Sequence, residues 1–483
     1  MKIKLTLSIL SVILLGCFTG LKAQTDIPTR WTLGACVKYA MDNNISIKQS
    51  MLDLETADIS RSDAIGNYLP SLNGNSNNTW NSGLTQNITT GVLESQVTRN
   101  FSVNATSGIT IFDGLRNLRV FQRAKLEKLA SQYSLQLMKD DIAIFVANAY
   151  LQILVNKQQL EVLVEQNNVT QEQIDQTRKT VEIGIAPQGD LLEIKATNAD
   201  EEQQIVVAEN NLRISKISLA QTLLIKDYQN FDIADKQYNV PITDIMSRTP
   251  EEIIAKSRGE RYEVKVAEQN VDLAIKDVQI ARSQLYPSLR GFVNYNTRET
   301  DRDRIVQGGL DPNSPTRQIG ILESTGGAVV APNFQFQTIG PRNFIDQLWR
   351  NDGLTYGVQL DIPVFNGFAT RNSIKRAEVN TKRAEFQLEQ AELDLESNVY
   401  QAYVDAQGSA KAYDAALKAV ESQELAFEYA QQRFEVGVSN AFELSQSKFR
   451  LTNAENRLIN SKYDYIFNLK VLELFFGIRI VDY

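Results

Sequence analysis

Val181-Glu182-Ile183-Gly184 returns 253 residues later as Phe434-Glu435-Val436-Gly437. Two further fragments return at the same distance: Phe112-Asp113-Gly114 as Phe365-Asn366-Gly367, and Ala149-Tyr150 as Ala402-Tyr403. Three matches at one spacing mark an internal duplication, which has to be read before any element is assigned. The glycines bracket long runs. Between Gly114 and Gly184 stand 69 residues without proline or glycine; Gly367 to Gly437 is as long, with Gly408 alone inside it. As helix, each run measures on the order of 100 Å. No compact globular core accommodates that length, so such helices lie side by side or coil together. Beyond each turn the chain reads as helix again. Leu444, Leu451, Leu458, Tyr465 and Leu472 stand seven apart, and Leu191, Asn198, Ile205, Leu212 and Leu219 stand 253 earlier. A heptad stripe packs against a partner helix.

Each half also opens on a helical segment, Leu33–Asn67 and Pro250–Gln284, stopped by Pro70 in Tyr68-Leu69-Pro70-Ser71-Leu72 and by Pro287 in Leu285-Tyr286-Pro287-Ser288-Leu289. These stops are 217 apart, so the two offsets differ by 36 residues, and the second half carries an insertion of that size between Pro287 and Phe365. After the prolines the period changes to two. Val103, Ala105, Ser107, Ile109 and Ile111 alternate with polar residues or glycine, and Leu354, Tyr356, Val358, Leu360 and Ile362 alternate with Thr355, Gly357, Gln359 and Asp361. That is strand with one apolar and one polar face. Leu289, Gly291, Val293 and Tyr295 alternate as well, with Phe292 breaking the polar face; Leu72–Trp80 is Asn-rich and the weakest of the four. Residues 227–249 read as an irregular connector between a first repeat over 24–226 and a second over 250–483. Thr297–Phe344, charged and then proline-containing, reads as a long loop.

Composition removes whole classes of chemistry. The chain has no histidine, so Ser-His and Cys-His nucleophile pairs and His metal ligands are absent. No phosphate-cradling glycine loop or metal-ligand spacing appears, and no enzyme activity, cofactor or metal is expected. Lys2 and Lys4 precede an apolar stretch from Leu5 to Leu15, and Ala23-Gln24 offers a cleavage point; residues 1–23 read as an export signal. A lipoprotein reading, with Leu14-Leu15-Gly16-Cys17 acylated on Cys17, stays open beside it. Without residues 1–23 the chain has 47 basic and 58 acidic residues, a net charge of −11, which excludes nucleic acid as a natural partner. Cys36 is then the one cysteine left, so no internal disulfide forms. No later run of about 18 apolar residues predicts a membrane helix.

Four strands per chain are too few to close a barrel, and open edges cannot face lipid. A spanning sheet therefore needs several copies, and three would supply twelve strands around an open lumen. The duplicated order, the Pro-Ser-Leu strand entries, the exit Ile362-Pro363-Val364-Phe365-Asn366-Gly367, and Arg433-Phe434-Glu435-Val436-Gly437 followed by Glu443-Leu444 resemble the TolC-type outer-membrane efflux family. The resemblance implies a mainly α fold with a small β part: duplicated long helical hairpins forming a coiled-coil tunnel, and four strands per chain in a shared twelve-stranded trimeric barrel. It implies a homotrimer in outer-membrane lipid that reaches into the periplasm of a Gram-negative bacterium. Its partners would be a periplasmic adaptor protein and an inner-membrane transporter, and its role a passive exit duct.

By this resemblance Gly184 and Gly437 mark the hairpin tips, with Pro187 in the first tip alone. Pro70, Pro287, Pro363, Gly114 and Gly367 mark the strand ends. Six residues past each tip glycine stands an acid, Asp190 and Glu443. Read from the residues, each suits the first turn of a helix; by resemblance, they lie at the tunnel entrance. Departures from the family pattern bear on gating. Its second acid is replaced by Gln446, its arginine two past the glycine by Ser439, and its tyrosine three before the glycine by Phe434. A gate closed by other, weaker or apolar contacts is expected. Two alternatives remain: the outer component of a protein-secretion system, and an exported coiled-coil scaffold that never enters the membrane.

Overall fold

The computed structural model describes residues 30–86, 93–234, 238–241 and 243–478. The expected signal, its cut and Cys17 lie outside them. The described elements run α1 (Leu33–Asn43), α2 (Ile45–Gly66), β1 (Ser71–Gln86), β2 (Leu93–Phe112), α3 (Arg116–Glu182) and α4 (Gln188–Thr222). A short 3₁₀ turn (Asp244–Ser247) leads into α5 (Pro250–Glu260), α6 (Tyr262–Ser283) and β3 (Ser288–Thr300). Then follow β4 (Arg304–Leu310), β5 (Thr316–Ile321), β6 (Ala328–Pro332), β7 (Phe334–Ile339), α7 (Phe344–Arg350), β8 (Gly353–Asp361), α8 (Ala369–Glu435) and α9 (Ala441–Phe475). The expected mixture holds: long paired helices and four principal strands. They form two compact units.

The helical unit comprises residues 30–54, 131–267 and 388–478. Two apolar clusters hold it, one around Val146, Tyr150, Ile153 and Leu219, the other around Val399, Ala406, Leu469 and Leu472. The repeated Ala-Tyr pair sits at these cores. Tyr150 is wholly buried and its hydroxyl donates to the Ala234 carbonyl at 3.3 Å, while Tyr403 packs on the second cluster. The heptad leucines face inward, with Leu191, Leu219, Leu444, Leu451 and Leu472 buried. Cys36 is buried too, and burial pushes its thiol up to about 12, so it stays protonated and unreactive.

The opening helices depart from expectation in the same way in both copies. Leu33–Asn67 breaks at Asn44 and Pro250–Gln284 breaks at Arg261, positions related by the 217 offset. Each break residue has an extended ψ, 136° at Asn44 and 132° at Arg261. Side chains compensate for the interrupted backbone. Asn44 Oδ1 accepts from the Ser46 amide at 2.8 Å, and its Nδ2 donates to the Thr222 carbonyl at 3.3 Å. The Arg261 guanidinium binds Glu263 at 2.7 Å and stands over the Phe475 ring. Gly259 stands two residues before the second break, while no proline or glycine stands near the first.

The second unit, residues 55–130 and 268–387, holds a four-stranded antiparallel sheet ordered β1-β2-β3-β8. The Asn-rich strand is no weak element. β1 runs 16 residues and pairs with β2 from Ser71↔Gly108 to Gln86↔Leu93. The insertion is no plain loop either. β4 pairs with β7, and β5 with β6 inside it, two nested hairpins followed by α7. Backbone pairing orders that charged, proline-bearing stretch, and single-residue composition did not reveal it. Helix α7 fills a gap at the sheet edge. β8 stops where Gly353 faces Asn296, leaving Thr297–Thr300 of β3 with no strand on that side. There Gln347 accepts from the Thr300 amide at 3.3 Å and donates to its carbonyl at 3.0 Å. Asn351 donates to the Arg298 carbonyl at 2.9 Å. Side-chain amides thus stand in for a strand and cover an exposed edge.

Each strand-to-helix exit uses two consecutive left-handed residues, Gly114-Leu115 (φ 68° and 67°) and Gly367-Phe368 (φ 62° and 66°). At Gly114 a Cβ would stand 2.6 Å from the Ser283 carbonyl oxygen and 2.8 Å from Tyr286 Cβ; at Gly367 it would meet nothing within 4 Å. Gly114→Ala is therefore expected to destabilise by ~2–4 kcal/mol and Gly367→Ala by only ~1–2 kcal/mol. Denaturant unfolding of the two variants side by side checks this. Equal losses would show that backbone conformation alone, not the close approach, demands glycine.

Candidate functional site: two matched tips and a two-faced sheet

The tips are built by the same hydrogen bonds at the 253 offset. In the first, the Gly184 amide donates to Val181 O at 2.9 Å, and the Ile185 and Ala186 amides to Thr180 O at 2.9 and 3.2 Å. In the second, Gly437 donates to Phe434 O at 3.0 Å, and Val438 and Ser439 to Arg433 O at 2.9 and 3.3 Å. Gly184 (φ 78°) and Gly437 (φ 76°) supply the left-handed residue such a helix end requires. The tips differ just beyond. Pro187 is the N-cap of α4 and offers no side-chain acceptor. Asn440 caps α9, its Oδ1 accepting from the Glu443 amide at 3.0 Å.

Both predicted acids sit in the first turn of their helices, Asp190 in α4 and Glu443 in α9, where a carboxylate meets the positive end of the helix dipole. Glu443 has a second partner that the residue pattern did not reveal. Arg433, on the opposite arm of its own hairpin, lies 3.7 Å away. Both side chains are more than half exposed, so the pair contributes little to stability; it holds a positive charge beside the acid. Gln446 is exposed, Phe434 half-buried, and the Ser439 hydroxyl is buried without a hydrogen-bond partner. Ile183, Ile185, Val436, Val438 and Phe442 leave the tip surfaces apolar.

A buried charge nearby escaped the sequence reading. Lys448 of α9 is 2% exposed, and its Nζ lies 2.8 Å from Glu201 Oε1. It also donates to Thr170 Oγ1 and the Gln166 carbonyl. Desolvation pulls its pKa down, against the opposing pull of Glu201. Heptad spacing of apolar residues gave no sign of it; Asn198 within the first stripe was the one hint of a polar layer.

The sheet is two-faced. Leu72, Ile109, Val293, Leu354, Tyr356, Val358 and Leu360 project from one side, and all are exposed in the single chain. The other side carries Asn104, Thr106, Asn294, Thr355 and Gln359, with Thr106 and Asn294 hydrogen-bonded at 3.2 Å. Phe292, out of place by pattern, faces Gly108 and Gly357 across its two neighbouring strands. A Cβ on Gly357 would lie 3.2 Å from its ring. The ring thus fills the space beside Gly357. β1 and β8 end the sheet, each with one edge unpaired among the described residues. No described helix is long and apolar enough to cross a membrane.

Comparison with known proteins agrees with this geometry. Residues 37–223 and 341–477 match the model of a family described as outer membrane efflux protein. The chain is 24% identical over 356 residues to the outer membrane protein TolC of Vibrio cholerae, covering 72% of this chain and 70% of that protein. It is 21% identical over 359 residues to the alkaline protease secretion protein AprF of Pseudomonas aeruginosa, covering 74% of this chain and 66% of that one. In fold it resembles the outer membrane channel CmeC of Campylobacter jejuni, with a TM-score of 0.73 at 15% identity, covering 92% of this chain and 85% of that one.

Proposed function

The chain belongs to the outer membrane efflux protein family, and from that premise we propose that it is the exit duct of a tripartite pump for small molecules. Its place is the outer membrane, and it is a conduit rather than an enzyme. In this reading three copies join the free edges of β1 and β8 into one twelve-stranded barrel. The helical hairpins then line a periplasmic passage that meets an adaptor protein and an inner-membrane transporter. The observation that carries the reading is the two-faced sheet with two open edges. Its exposed apolar side needs lipid, its polar side needs water, and its edges need partners. Residues 24–226 and 250–483 act as the two repeats joined by 227–249, behind a signal over 1–23.

Purification from the outer membrane and single-channel recording in planar bilayers test it. A detergent-independent monomer without conductance would overturn it in favour of a scaffold. Similarity to a protein named for alkaline protease secretion supports a second reading, the outer component of a protein-secretion system. Deleting the chromosomal copy separates the two. Heightened sensitivity to toxic small molecules supports efflux, and loss of a secreted protein supports secretion.

At the entrance, Asp190, Glu443, Gln446, Phe434 and Ser439 would govern passage, with the tips at Gly184, Pro187 and Gly437 as docking turns. Three Glu443 carboxylates at about 10 Å contribute together roughly 1 kcal/mol to cation entry, a preference of about fivefold. Arg433 beside each one lowers that figure. Glu443→Gln is thus expected to reduce cation selectivity severalfold, and Arg433→Gln to increase it, both read from reversal potentials in a salt gradient. A latch role for Asp190 predicts that Asp190→Ala raises closed-state conductance; an unchanged value excludes that role.

A further inference from the structure

The covered edge of β3 adjoins a second feature that the duct reading leaves unused. Between the end of β3, the stretch leading into β4, and α7 lies a cavity of about 450 Å³. Five arginines line it: Arg298, Arg302, Arg304, Arg342 and Arg350. Among the described residues only Arg350 has a carboxylate partner, Asp346 at 2.9 Å. The wall contains one acid, Glu299, which is 4% exposed and already held by Arg99 Nη2 at 2.8 Å. Asp301 turns its carboxylate to the Arg99 amide at 2.7 Å. Guanidinium groups stay charged at every physiological pH, so this lining cannot relieve its repulsion by losing protons.

We propose that this cavity binds a phosphate-type oxyanion. Several guanidinium forks around one space suit a ligand with three or more equivalent oxygens, each able to accept paired N–H donors. The frame is already organised. Gln347, buried, is bonded to both backbone groups of Thr300 and to the Arg342 carbonyl at 2.8 Å, and Thr297 donates to Leu348 O at 2.6 Å. Helix α7 also presents exposed Ile345 and Trp349. An exposed tryptophan beside arginines is the pattern of a surface that meets lipid headgroups. The same oxyanion chemistry is available from a lipid phosphate or from a soluble phosphate. The cavity stands on the geometry alone; only its meeting with membrane lipid rests on the duct reading.

The test uses the full-length channel assembled in a neutral detergent. One arm titrates pyrophosphate by calorimetry. The other adds phosphatidic acid or phosphatidylcholine to the micelles and counts bound lipid by native mass spectrometry. Wild type is compared with a triple variant, Arg302→Gln, Arg304→Gln and Arg342→Gln, whose side chains make no ion pair within the described residues. Arg317→Gln, outside the cavity, serves as control. Loss of three forks is expected to weaken binding by at least about tenfold, while the control binds as wild type. Pyrophosphate binding identifies a soluble ligand, and selective retention of phosphatidic acid identifies a lipid one. If neither probe binds, or the triple variant binds as wild type does, the proposal is wrong. Should the triple variant fail to assemble, Arg342→Gln alone gives the same comparison. Conductance recorded on the same preparations tests the duct independently of the binding result.

Discussion

Replacing Val358 by arginine is expected to abolish assembly of the channel in the outer membrane. Val358 lies on the apolar face of β8 and is 69% exposed in the single chain. Its register neighbour on β3 is Gly291, and Tyr356 and Leu360 flank it on the same face. In a barrel wall that face meets hydrocarbon, where an arginine near the midplane is unfavourable by ~2–4 kcal/mol. Three copies per assembly make ~6–12 kcal/mol, comparable with the whole stability of a domain. Gln359 is the control. It is the next residue along, points to the polar side opposite Arg290, and as arginine it should leave assembly intact while altering conductance. The amount of heat-resistant oligomer in outer-membrane fractions reads both. Normal assembly of Val358→Arg would mean that the apolar face does not meet lipid.

The second large effect is expected at Lys448. Methionine has similar length and no charge, so Lys448→Met removes the ion without opening much space. What remains is the Glu201 carboxylate, its side chain 12% exposed, still accepting from Asn167 Nδ2 at 3.3 Å but without its cation. Breaking a buried pair from one side destabilises by about 3–5 kcal/mol. Removing both charges together, Lys448→Met with Glu201→Met, should recover most of that loss, because desolvating two ions offsets much of their attraction. Denaturant unfolding followed by helical signal distinguishes the cases. A single variant as stable as wild type would show that water reaches the pair. The pair also joins α9 to α4 and contacts α3 through Thr170, a polar match that favours one relative height of the three helices. The double variant is therefore expected to retain stability yet pack in more than one helix register, seen as broadened spectra of labels placed near the tip.

Much of the architecture was legible without coordinates. The 253 offset located both tips, and the structure closes them with hydrogen bonds between residues related by that same offset. The 217 offset located both strand entries, and it also relates Asn44 to Arg261, two breaks that the hydrophobic pattern did not reveal. Alternation found four strands, and heptads found the buried faces of α4 and α9. The misses have one character. β1 looked weak because its asparagines have low strand propensity, yet 16 paired positions along β2 hold it. The insertion looked like a loop because nested pairing joins residues such as Arg304 and Ile339 that are far apart in the chain.

Duplication, helix length, strand alternation and the glycine turns were determined by sequence alone, because each is a pattern along the chain: a constant offset, an unbroken run, a period or a single residue type. The placement of Arg433 beside Glu443, the burial of Lys448 against Glu201, and the contact that closes Gly114 to a side chain were decided only by tertiary structure. So were Phe292 packing over Gly357 and five arginines meeting in one cavity. Each of these depends on a distance between groups that no periodicity records: charge, close contact and desolvation act through space, while pattern acts along the chain.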